Sequence, residues 1–344
     1  MPEAVEVPPF RPRPPWWGAD LQTLRDTLQG PRFPADRGVA HRIPIGKGEQ
    51  LLALLDRPAG VQPHALVVLL HGLGGSSQAT GVRRLGLALQ AAGFAVLRLN
   101  LRGAGAGRSL APGTYAARCN GDLAPALRRA RQLAEGLPLF GVGFSLGGTV
   151  LLNGVRAAQQ GERLLDGLVA ISSPLDLAAC SAAIGRPRNR LYERWLLRSL
   201  RRQTLADPQG LGPAERRALA QVRSIRGFDA LITAPRWGFA SVDDYYAQAS
   251  PLPGLLESAP SLPPSLLIHA LDDPWVPAAP AVALAGRREG GRAFEAREDA
   301  LEVVLTPGGG HNGFHAPGGS WSDQLTAQWL RQQLDRQPGQ TACA

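Results

Sequence analysis

A glycine-rich turn, "GVGFSLGG" from Gly141 to Gly148, contains the first residues with an evident chemistry. Within it, G-x-S-x-G places Ser145 between Gly143 and Gly147. This spacing is typical of a nucleophile elbow, a sharp strand-to-helix turn that exposes a serine hydroxyl and needs small neighbours on both sides. The helix that follows would direct its N-terminus at the turn and favour negative charge there. The turn therefore predicts attack of a serine on a carbonyl carbon.

The same glycines permit a second interpretation, a turn that binds a dinucleotide. That motif is G-x-G-x-x-G early in a βαβ unit, with an acidic residue about 20 residues further on. Here the spacing is G-x-G-x-x-x-G, and the nearest downstream acids, Glu162 and Asp166, precede the next apolar run. The turn also follows the third predicted parallel strand rather than the first. These departures favour the serine interpretation.

A serine nucleophile needs a general base and an acid that orients the base. In the order Ser, Asp, His, the acid and base follow later strands. Asp272 and Asp273 follow the apolar run "SLLIHAL", and His311 follows "LEVVLTP" and three glycines. We predict a triad of Ser145, Asp273 and His311. Asp272 remains an alternative acid, and either aspartate could instead cap the next helix.

The loop "HGLGGSS" after an earlier strand could supply part of an oxyanion hole. Acyl transfer needs backbone N–H donors, one from the residue after the nucleophile and one from this loop. The two amides would be those of Leu146 and Leu73, with Gly72 and Gly74 shaping the loop. A plain turn is the alternative. No cluster with the spacing of metal ligands is present, so we predict no metal site.

Short apolar runs bounded by turn residues recur along the chain and predict buried strands. They span residues 65–71, 94–100, 137–143, 166–173, 265–271 and 301–307. Helical patterns between several of them predict parallel strands with crossover helices, an α/β fold. Two earlier segments, 39–46 and 50–58, could form an antiparallel hairpin at the sheet edge.

The spacing of these runs suggests three parts. Residues 178–263 contain helical patterns but no convincing strand, and predict a helical cap inserted over the sheet. The core would then comprise 36–177 and 264–344. Residues 1–35 would form an arm that packs on the body, because Phe10, Trp16 and Trp17 are costly to leave in water.

The net charge of +9 comes almost entirely from arginine, since Lys47 is the single lysine. No nucleic-acid-binding pattern accompanies it, so we predict no nucleic-acid partner. One segment, "NRLYERWLLRSLRRQ", is a basic amphipathic helix that could lie on an anionic membrane surface or pack with its arginines in solvent. Its basic and apolar positions are Arg190, Arg194, Arg198 and Arg201, and Leu191, Trp195, Leu196 and Leu200.

The cellular compartment is predicted from three features that the sequence does not show: a disulfide framework, a membrane span and a secretory signal. The three cysteines, Cys119, Cys180 and Cys343, have unrelated spacings and indicate no disulfide framework. No apolar run reaches the roughly 18–20 residues of a membrane span, and the first residues do not resemble a secretory signal. We expect a cytoplasmic protein, with peripheral membrane contact as an option.

The chain resembles the α/β-hydrolase superfamily and, more narrowly, its YheT-like branch, related to eukaryotic abhydrolase-domain lipases. The similarity is carried by "PPFRPRPPWWGADLQTL", "LLHGLGGSS", "LNLRGAGAGRS", "GFSLGG", "ISSPLDL", "IRGFDALITAPRWGFASVDDYYAQASP", "DDPWVP" and "GGHNGF". It departs in the arm, where Ala19 and Asp20 precede "LQT" in place of the family's frequent histidine. The superfamily acid commonly precedes a proline by four positions, as Asp273 precedes Pro277.

The resemblance implies a cofactor-free esterase or lipase. We therefore expect a serine hydrolase that cleaves small-molecule or lipid esters of hydrophobic acyl groups. An acyltransferase or thioesterase with the same triad is one alternative. A non-catalytic lipid- or partner-binding protein on this scaffold is the other.

Overall fold

Eight strands form the central sheet of the computed structural model, which describes residues 9–158, 162–257, 262–286 and 301–336. The strands are β1 (Val39–Gly46), β2 (Glu49–Asp56), β3 (Leu66–Leu70), β4 (Ala95–Asn100), β5 (Leu139–Phe144), β6 (Gly167–Ile171), β7 (Ser265–Ala270) and β8 (Leu301–Thr306). A separate small hairpin pairs β9 (His315–Ala316) with β10 (Gly319–Ser320).

The sheet order is β1-β2-β4-β3-β5-β6-β7-β8. Strands β3 to β8 are parallel, whereas β2 is antiparallel to both β1 and β4. Each apolar run of the sequence contributes one strand, and the two earlier segments form the edge hairpin. The prediction of a mostly parallel α/β sheet is confirmed.

Thirteen helices are described. They are α1 (Ala19–Leu28), α2 (Thr80–Ala91), α3 (Asn120–Leu133), α4 (Leu146–Arg156), α5 (Leu177–Ile184), α6 (Arg190–Leu205), α7 (Pro213–Gln221), α8 (Ile225–Phe228), α9 (Ala234–Arg236), α10 (Val242–Ala249), α11 (Leu252–Leu256), α12 (Ala279–Gly286) and α13 (Trp321–Asp335). Shorter 3-10 turns occupy Gly105–Leu110 and Pro187–Asn189, and a π-helical turn occupies Asp229–Thr233.

Helices cover both faces of the sheet, because side chains alternate between the faces along each strand. On β3, Val67 and Leu69 join an apolar cluster that includes side chains of α2 and α13. The alternate residues Leu66, Val68 and Leu70 join a second cluster with α3 and α4. The central strands are therefore buried on both sides, which explains why they appear in the sequence as continuous apolar runs.

Between β6 and β7 the described residues form helices α5 to α11 and turns. Several of these helices share an apolar cluster of their own, made of Ile184, Leu196, Leu197, Leu200, Leu219, Val222, Ile225, Phe228 and Ile232. Residues 258–261 of the predicted cap lie outside the described residues. The predicted amphipathic helix corresponds to α6. Its Leu196 and Leu200 are buried, whereas Leu191 and Trp195 are 77% and 57% exposed.

Of the three aromatic side chains predicted to pack the N-terminal arm on the body, two do so. The ring of Phe10 packs edge-on against Phe314 and Trp321, and Trp16 is buried. Trp17 is 59% exposed, so the expectation that it packs on the body is wrong. The first eight residues lie outside the described part of the chain, as does Cys343; Cys119 and Cys180 are free thiols.

Candidate active site

Ser145 occupies the turn between β5 and α4 with φ 51° and ψ −125°, a backbone conformation that non-glycine residues seldom adopt. Its amide donates a hydrogen bond to the Ile171 carbonyl at 2.8 Å. A Cβ atom on Gly143 would lie 2.2 Å from the Gly148 nitrogen, and one on Gly147 would lie 2.7 Å from the His71 carbonyl oxygen. Side chains at both glycines are therefore excluded by backbone atoms.

Ser145, His311 and Asp273 are brought together by loops that follow β5, β8 and β7. His311 Nε2 lies 3.0 Å from Ser145 Oγ, and His311 Nδ1 lies 2.8 Å from Asp273 Oδ2. The Trp275 and Val276 amides donate to Asp273 Oδ1 at 2.8 and 3.0 Å. With its proton on Nδ1, the imidazole presents a free Nε2 lone pair to the serine hydroxyl.

Asp272 has a different neighbour. Its Oδ1 accepts a hydrogen bond from the Gly310 amide at 2.9 Å, and burial raises the pKa of this carboxyl group. Asp272 therefore holds the glycine loop that carries His311, whereas Asp273 contacts the imidazole itself.

Two side chains of α1 also hold the His311 loop, although the sequence analysis gave them no role. Thr23 Oγ1 accepts from the His311 amide at 2.8 Å. Gln22 bonds both backbone groups of His315, accepting from its amide at 2.7 Å and donating to its carbonyl at 3.2 Å. Both residues belong to "LQTL", the end of the arm segment that carries part of the family resemblance. That resemblance was the one signal in the sequence that could have pointed to a role for them.

Trp275 is a further contact that the sequence analysis missed. Its ring stacks on the His311 imidazole with centroids 4.4 Å apart and planes 25° apart. Tyr192 of α6 packs edge-on against Trp275 at 5.1 Å. Because the backbone amide of Trp275 also binds Asp273, this residue contacts two members of the Ser–His–Asp cluster.

The loop after β3 passes close above Ser145. A Cβ atom on Gly72 would lie 3.0 Å from Ser145 Cβ. His71 Nδ1 is paired with the Gly72 carbonyl at 2.8 Å, and His71 Nε2 accepts from the Leu101 amide at 3.2 Å. These partners assign the proton to Nδ1, and burial lowers the pKa of His71 to about 4. A neutral histidine therefore anchors the start of the loop.

Gly74, in the same loop, is held from two sides. The core residue Tyr115 accepts from its amide through Oη at 2.6 Å. Ser199 and Gln203 of α6 donate to its carbonyl at 2.8 and 3.2 Å. Gly74 has φ +72°, and a Cβ atom there would lie 3.2 Å from Ser199. The loop that places Leu73 is thus fixed jointly by the core and by α6.

A cavity of about 870 Å³ opens above these residues. Ser145, His311, Leu73 and Leu146 line it, together with side chains of α1, α5, α6 and α10. The apolar side chains of the wall include Leu24, Ile184, Leu191, Trp195 and Leu196 of these helices and Ile225 of α8. A volume of this size is typical of sites that enclose a small molecule.

The described ranges contain no group of three or more His, Cys, Asp or Glu side chains placed to hold a metal ion. None of the described helices combines the length and apolar character that a membrane span requires.

Comparisons with known proteins agree with this architecture. The model of the alpha/beta hydrolase family matches residues 67–323. The Escherichia coli (strain K12) protein YheT is 32% identical over 294 residues, which cover 83% of this chain and 82% of that protein. Mouse phospholipase ABHD3 is 27% identical over 262 residues, covering 76% of this chain and 60% of that protein.

The solved structure of Est1E from Butyrivibrio proteoclasticus with bound ferulic acid aligns with a TM-score of 0.55 and 16% identity, over 86% of this chain and 100% of that one. At 16% sequence identity, this similarity shows that the two proteins share a fold and nothing more. The sheet order and the match of the family model to most of the chain lead to one conclusion: this chain belongs to the alpha/beta hydrolase family.

Proposed function

We propose that the chain is a serine hydrolase that cleaves carboxylic esters through an acyl-enzyme. The chain is an esterase- and lipase-like member of its family, and its relatives include proteins named phospholipase and monoacylglycerol lipase. The observation that carries the proposal is the unbroken hydrogen-bond chain Ser145–His311–Asp273 at the wall of an apolar cavity.

In the first step Ser145 Oγ attacks the ester carbonyl carbon while His311 Nε2 takes the hydroxyl proton. Asp273 keeps Nδ1–H in place and stabilises the imidazolium that forms. The tetrahedral intermediate collapses when the C–O bond to the alcohol breaks and His311 protonates the leaving oxygen. Water then repeats the sequence on the acyl-enzyme, releasing the acid and restoring Ser145.

The negative charge of each tetrahedral intermediate would be bound by the backbone amides of Leu73 and Leu146. Leu146 is the first residue of α4, so its N–H has no acceptor within the helix. The positive end of the helix dipole lies at the same point. The hydrogen bonds that hold Gly72 and Gly74 fix the position of the Leu73 amide before substrate binds. Such preorganisation is what makes oxyanion donors effective.

The apolar wall of the cavity supports esters of hydrophobic acyl groups as substrates. Burying one methylene contributes about 0.8 kcal/mol. We therefore expect kcat/KM to rise by roughly fourfold for each added CH2 until the cavity is filled. A graded series of p-nitrophenyl esters measures this slope.

We also propose that residues 178–263 act as a cap over the core formed by 36–177 and 264–344, with 1–35 as an arm. The cavity supports this division, because α5, α6 and α10 contribute side chains to its wall together with Ser145 and His311 of the core. One cap helix carries a further feature. Arg194, Arg198, Arg201 and Arg202 of α6 line a shallow groove beside the exposed Leu205.

The exposed face of α6 supports contact with an anionic membrane surface. Leu191 and Trp195 are exposed on α6 and also line the cavity that contains Ser145. Basic side chains beside exposed apolar ones are the pattern of helices that lie in the membrane interface. Such contact would place lipid esters next to the cavity entrance.

Labelling with a fluorophosphonate probe tests the main proposal. We expect covalent labelling of the wild type at Ser145 and hydrolysis of p-nitrophenyl esters. Both are lost in Ser145→Ala and retained in Ser109→Ala, which changes an exposed serine. Persistent hydrolysis by pure Ser145→Ala would overturn the assignment. Absence of labelling in the wild type would favour a non-catalytic binding protein.

An acyltransferase or a thioesterase would use the same three residues, so separate measurements are needed to distinguish them from an esterase. Added short alcohols that divert most of the acyl group from water would indicate an acyltransferase. A kcat/KM for acyl thioesters well above that for the matching oxygen esters would indicate a thioesterase.

A further inference from the structure

Three polar side chains form a cluster in the cap wall of the cavity, apart from the Ser–His–Asp residues. Asp229 Oδ2 accepts a hydrogen bond from the Tyr246 hydroxyl at 2.8 Å, and that hydroxyl lies 3.1 Å from Ser181 Oγ. All three side chains line the cavity that contains Ser145. Apolar side chains also line this cavity, including Ile184, Leu196 and Ile225.

Asp229 differs from the other carboxylates of the cavity in having no cation. Asp20 pairs with Arg188 at 3.0 Å, and Asp26 pairs with Arg25 at 2.8 Å. Within the described ranges Asp229 forms no ion pair. The basic residue nearest to it in sequence, Arg226, pairs instead with Asp243. Burial without a cation raises the pKa of Asp229 to about 6.

The backbone at Asp229 is also unusual. The residue begins the π-helical turn Asp229–Thr233, inserted between α8 and α9 in a run that is otherwise α-helical. Such turns are rare and occur frequently at functional sites. The turn sets the carboxylate in the cavity wall opposite the Tyr246 hydroxyl of α10.

We infer that Asp229, Tyr246 and Ser181 form a second binding subsite of the cavity, which holds a hydroxyl group carried by the ester substrate. The inference rests on the proposed ester hydrolysis and specifies its substrate class. In an apolar cavity a small number of polar groups fixes the orientation and the specificity of the ligand. Asp229 is the group here with acceptor capacity to spare, because a carboxylate offers about four lone-pair sites and the Tyr246 and Thr233 side chains occupy two of them.

Substrate discrimination follows from the desolvation of this carboxylate. When a hydroxyl-bearing ester fills the cavity, the substrate O–H replaces the water that Asp229 loses. A methyl group in the same place leaves the carboxylate without that partner, and unpaired buried polar groups are strongly disfavoured. Sites built around a substrate hydroxyl therefore discriminate against analogues that lack it.

The test compares pairs of esters that differ only by a terminal hydroxyl in place of a terminal methyl. One series varies the alcohol, as in hydroxypropyl butyrate against butyl butyrate. The other varies the acyl chain, as in ethyl ω-hydroxyhexanoate against ethyl heptanoate. Both series are extended to longer chains, so that one pair spans the distance from Ser145 to Asp229. For that pair we expect kcat/KM of the wild type to favour the hydroxyl ester by about tenfold or more, as expected for a hydrogen bond to a charged group.

The variant Asp229→Asn should reduce this preference to about threefold or less while retaining hydrolysis of the methyl ester, since the amide is a weaker, uncharged acceptor. Asp243→Asn is the matched control, because it changes an exposed aspartate of the same cap and should leave the preference unchanged. Should Asp229→Asn prove unstable by thermal melting, Tyr246→Phe removes the hydroxyl that orients the carboxylate and should also reduce the preference.

Two outcomes would overturn the subsite. One is the absence of a hydroxyl preference in every wild-type pair. The other is a preference that Asp229→Asn leaves intact. In either case hydrolysis of the methyl esters shows that the proposed function stands. Failure of the proposed function looks different, because then no ester is hydrolysed and Ser145 takes no fluorophosphonate label.

Discussion

Asp273 Oδ2 lies 2.8 Å from His311 Nδ1, while the adjacent Asp272 reaches the same loop one residue earlier, at the Gly310 amide. Consecutive aspartates therefore hold one loop in two ways. Asp273 contacts the imidazole itself, whereas Asp272 binds the backbone that carries it.

This division predicts unequal effects of two matched substitutions. Asp273→Asn should lower kcat by about 10⁴-fold, because the amide favours the wrong imidazole tautomer and carries no charge. Asp272→Asn retains an acceptor for the Gly310 amide and should lower kcat by less than about tenfold. Steady-state kinetics on one p-nitrophenyl ester compares them. Equal losses would contradict the assignment of Asp273 as the triad acid.

A second prediction concerns the hydroxyl of Tyr115, which accepts from the Gly74 amide at 2.6 Å. Tyr115→Phe removes this support from the loop that places the Leu73 amide. Because oxyanion donors act mainly in the transition state, kcat should fall about tenfold with little change in KM. Tyr192→Phe is the matched control, since it keeps the ring on Trp275 and removes only a hydroxyl that binds Asp20 rather than the loop. An unchanged kcat in Tyr115→Phe would show that the loop does not need this bond.

The elbow glycines allow a test of stability. Gly143→Ala would place a Cβ atom 2.2 Å from the Gly148 nitrogen, so the turn must shift. We expect the free energy of unfolding to fall by about 1–3 kcal/mol or more, as in other overpacked sites, together with loss of activity. Gly121→Ala, in the first turn of α3 with open space around it, should leave stability unchanged or raise it by up to about 1 kcal/mol. Denaturant unfolding of both variants measures the difference.

His71 predicts a pH dependence of stability. Burial lowers its pKa in the folded state from 6.5 to about 4, so below pH 6.5 the unfolded chain binds the proton more readily. The folded state therefore loses stability as the pH falls from 6.5 to 4, by on the order of 3 kcal/mol. His71→Gln should lack this part of the acid sensitivity, whereas His64→Gln, at an exposed histidine, should keep it. Denaturant unfolding between pH 7 and 4 measures the free energy of unfolding of the wild type and both variants. If this free energy falls equally with pH in all three proteins, the role of His71 is refuted.

The basic face of α6 predicts binding to anionic vesicles. Each arginine near a membrane surface contributes about 1 kcal/mol, so changing Arg194, Arg198 and Arg202 to Gln should weaken binding by about a hundredfold. The same change at three exposed arginines outside α6, Arg118, Arg128 and Arg129, serves as the control. Co-sedimentation at low salt measures binding. No difference between anionic and neutral vesicles for the wild type would rule out the membrane contact.

Much of the fold was predictable from the sequence because its central strands are buried on both faces. Such strands must be apolar at every position, so runs such as 65–71 stand out without an alignment. The order of Ser145, Asp273 and His311 was visible for a related reason, since the carboxyl ends of parallel strands meet at one edge of the sheet.

The contacts that the sequence analysis missed join residues that share no local pattern. Ser199 and Gly74 lie 125 positions apart, and Thr23 and His311 lie 288 apart. Hydrophobic periodicity predicts which face of its own helix or strand a residue lies on. It does not predict contacts between residues that are far apart in the sequence. The error at Trp17 has a local cause. Hydrophobicity treats the two tryptophans alike, whereas the turn that precedes them, with the Trp16 amide bonded to the Arg13 carbonyl and the Trp17 amide to the Pro15 carbonyl, buries Trp16 and leaves Trp17 exposed.

The attachment of α6 to Gly74 bears on how this enzyme can be engineered. Ser199 and Gln203 bind the Gly74 carbonyl in the loop near Ser145, while Leu191 and Trp195 of the same helix line the cavity. If the chain hydrolyses esters as proposed, substrate range and turnover are thus coupled through α6. A library that randomises α6 to admit new esters will alter the rate constant as well, and transplanting this helix from a relative requires transplanting the "HGLGG" loop with it.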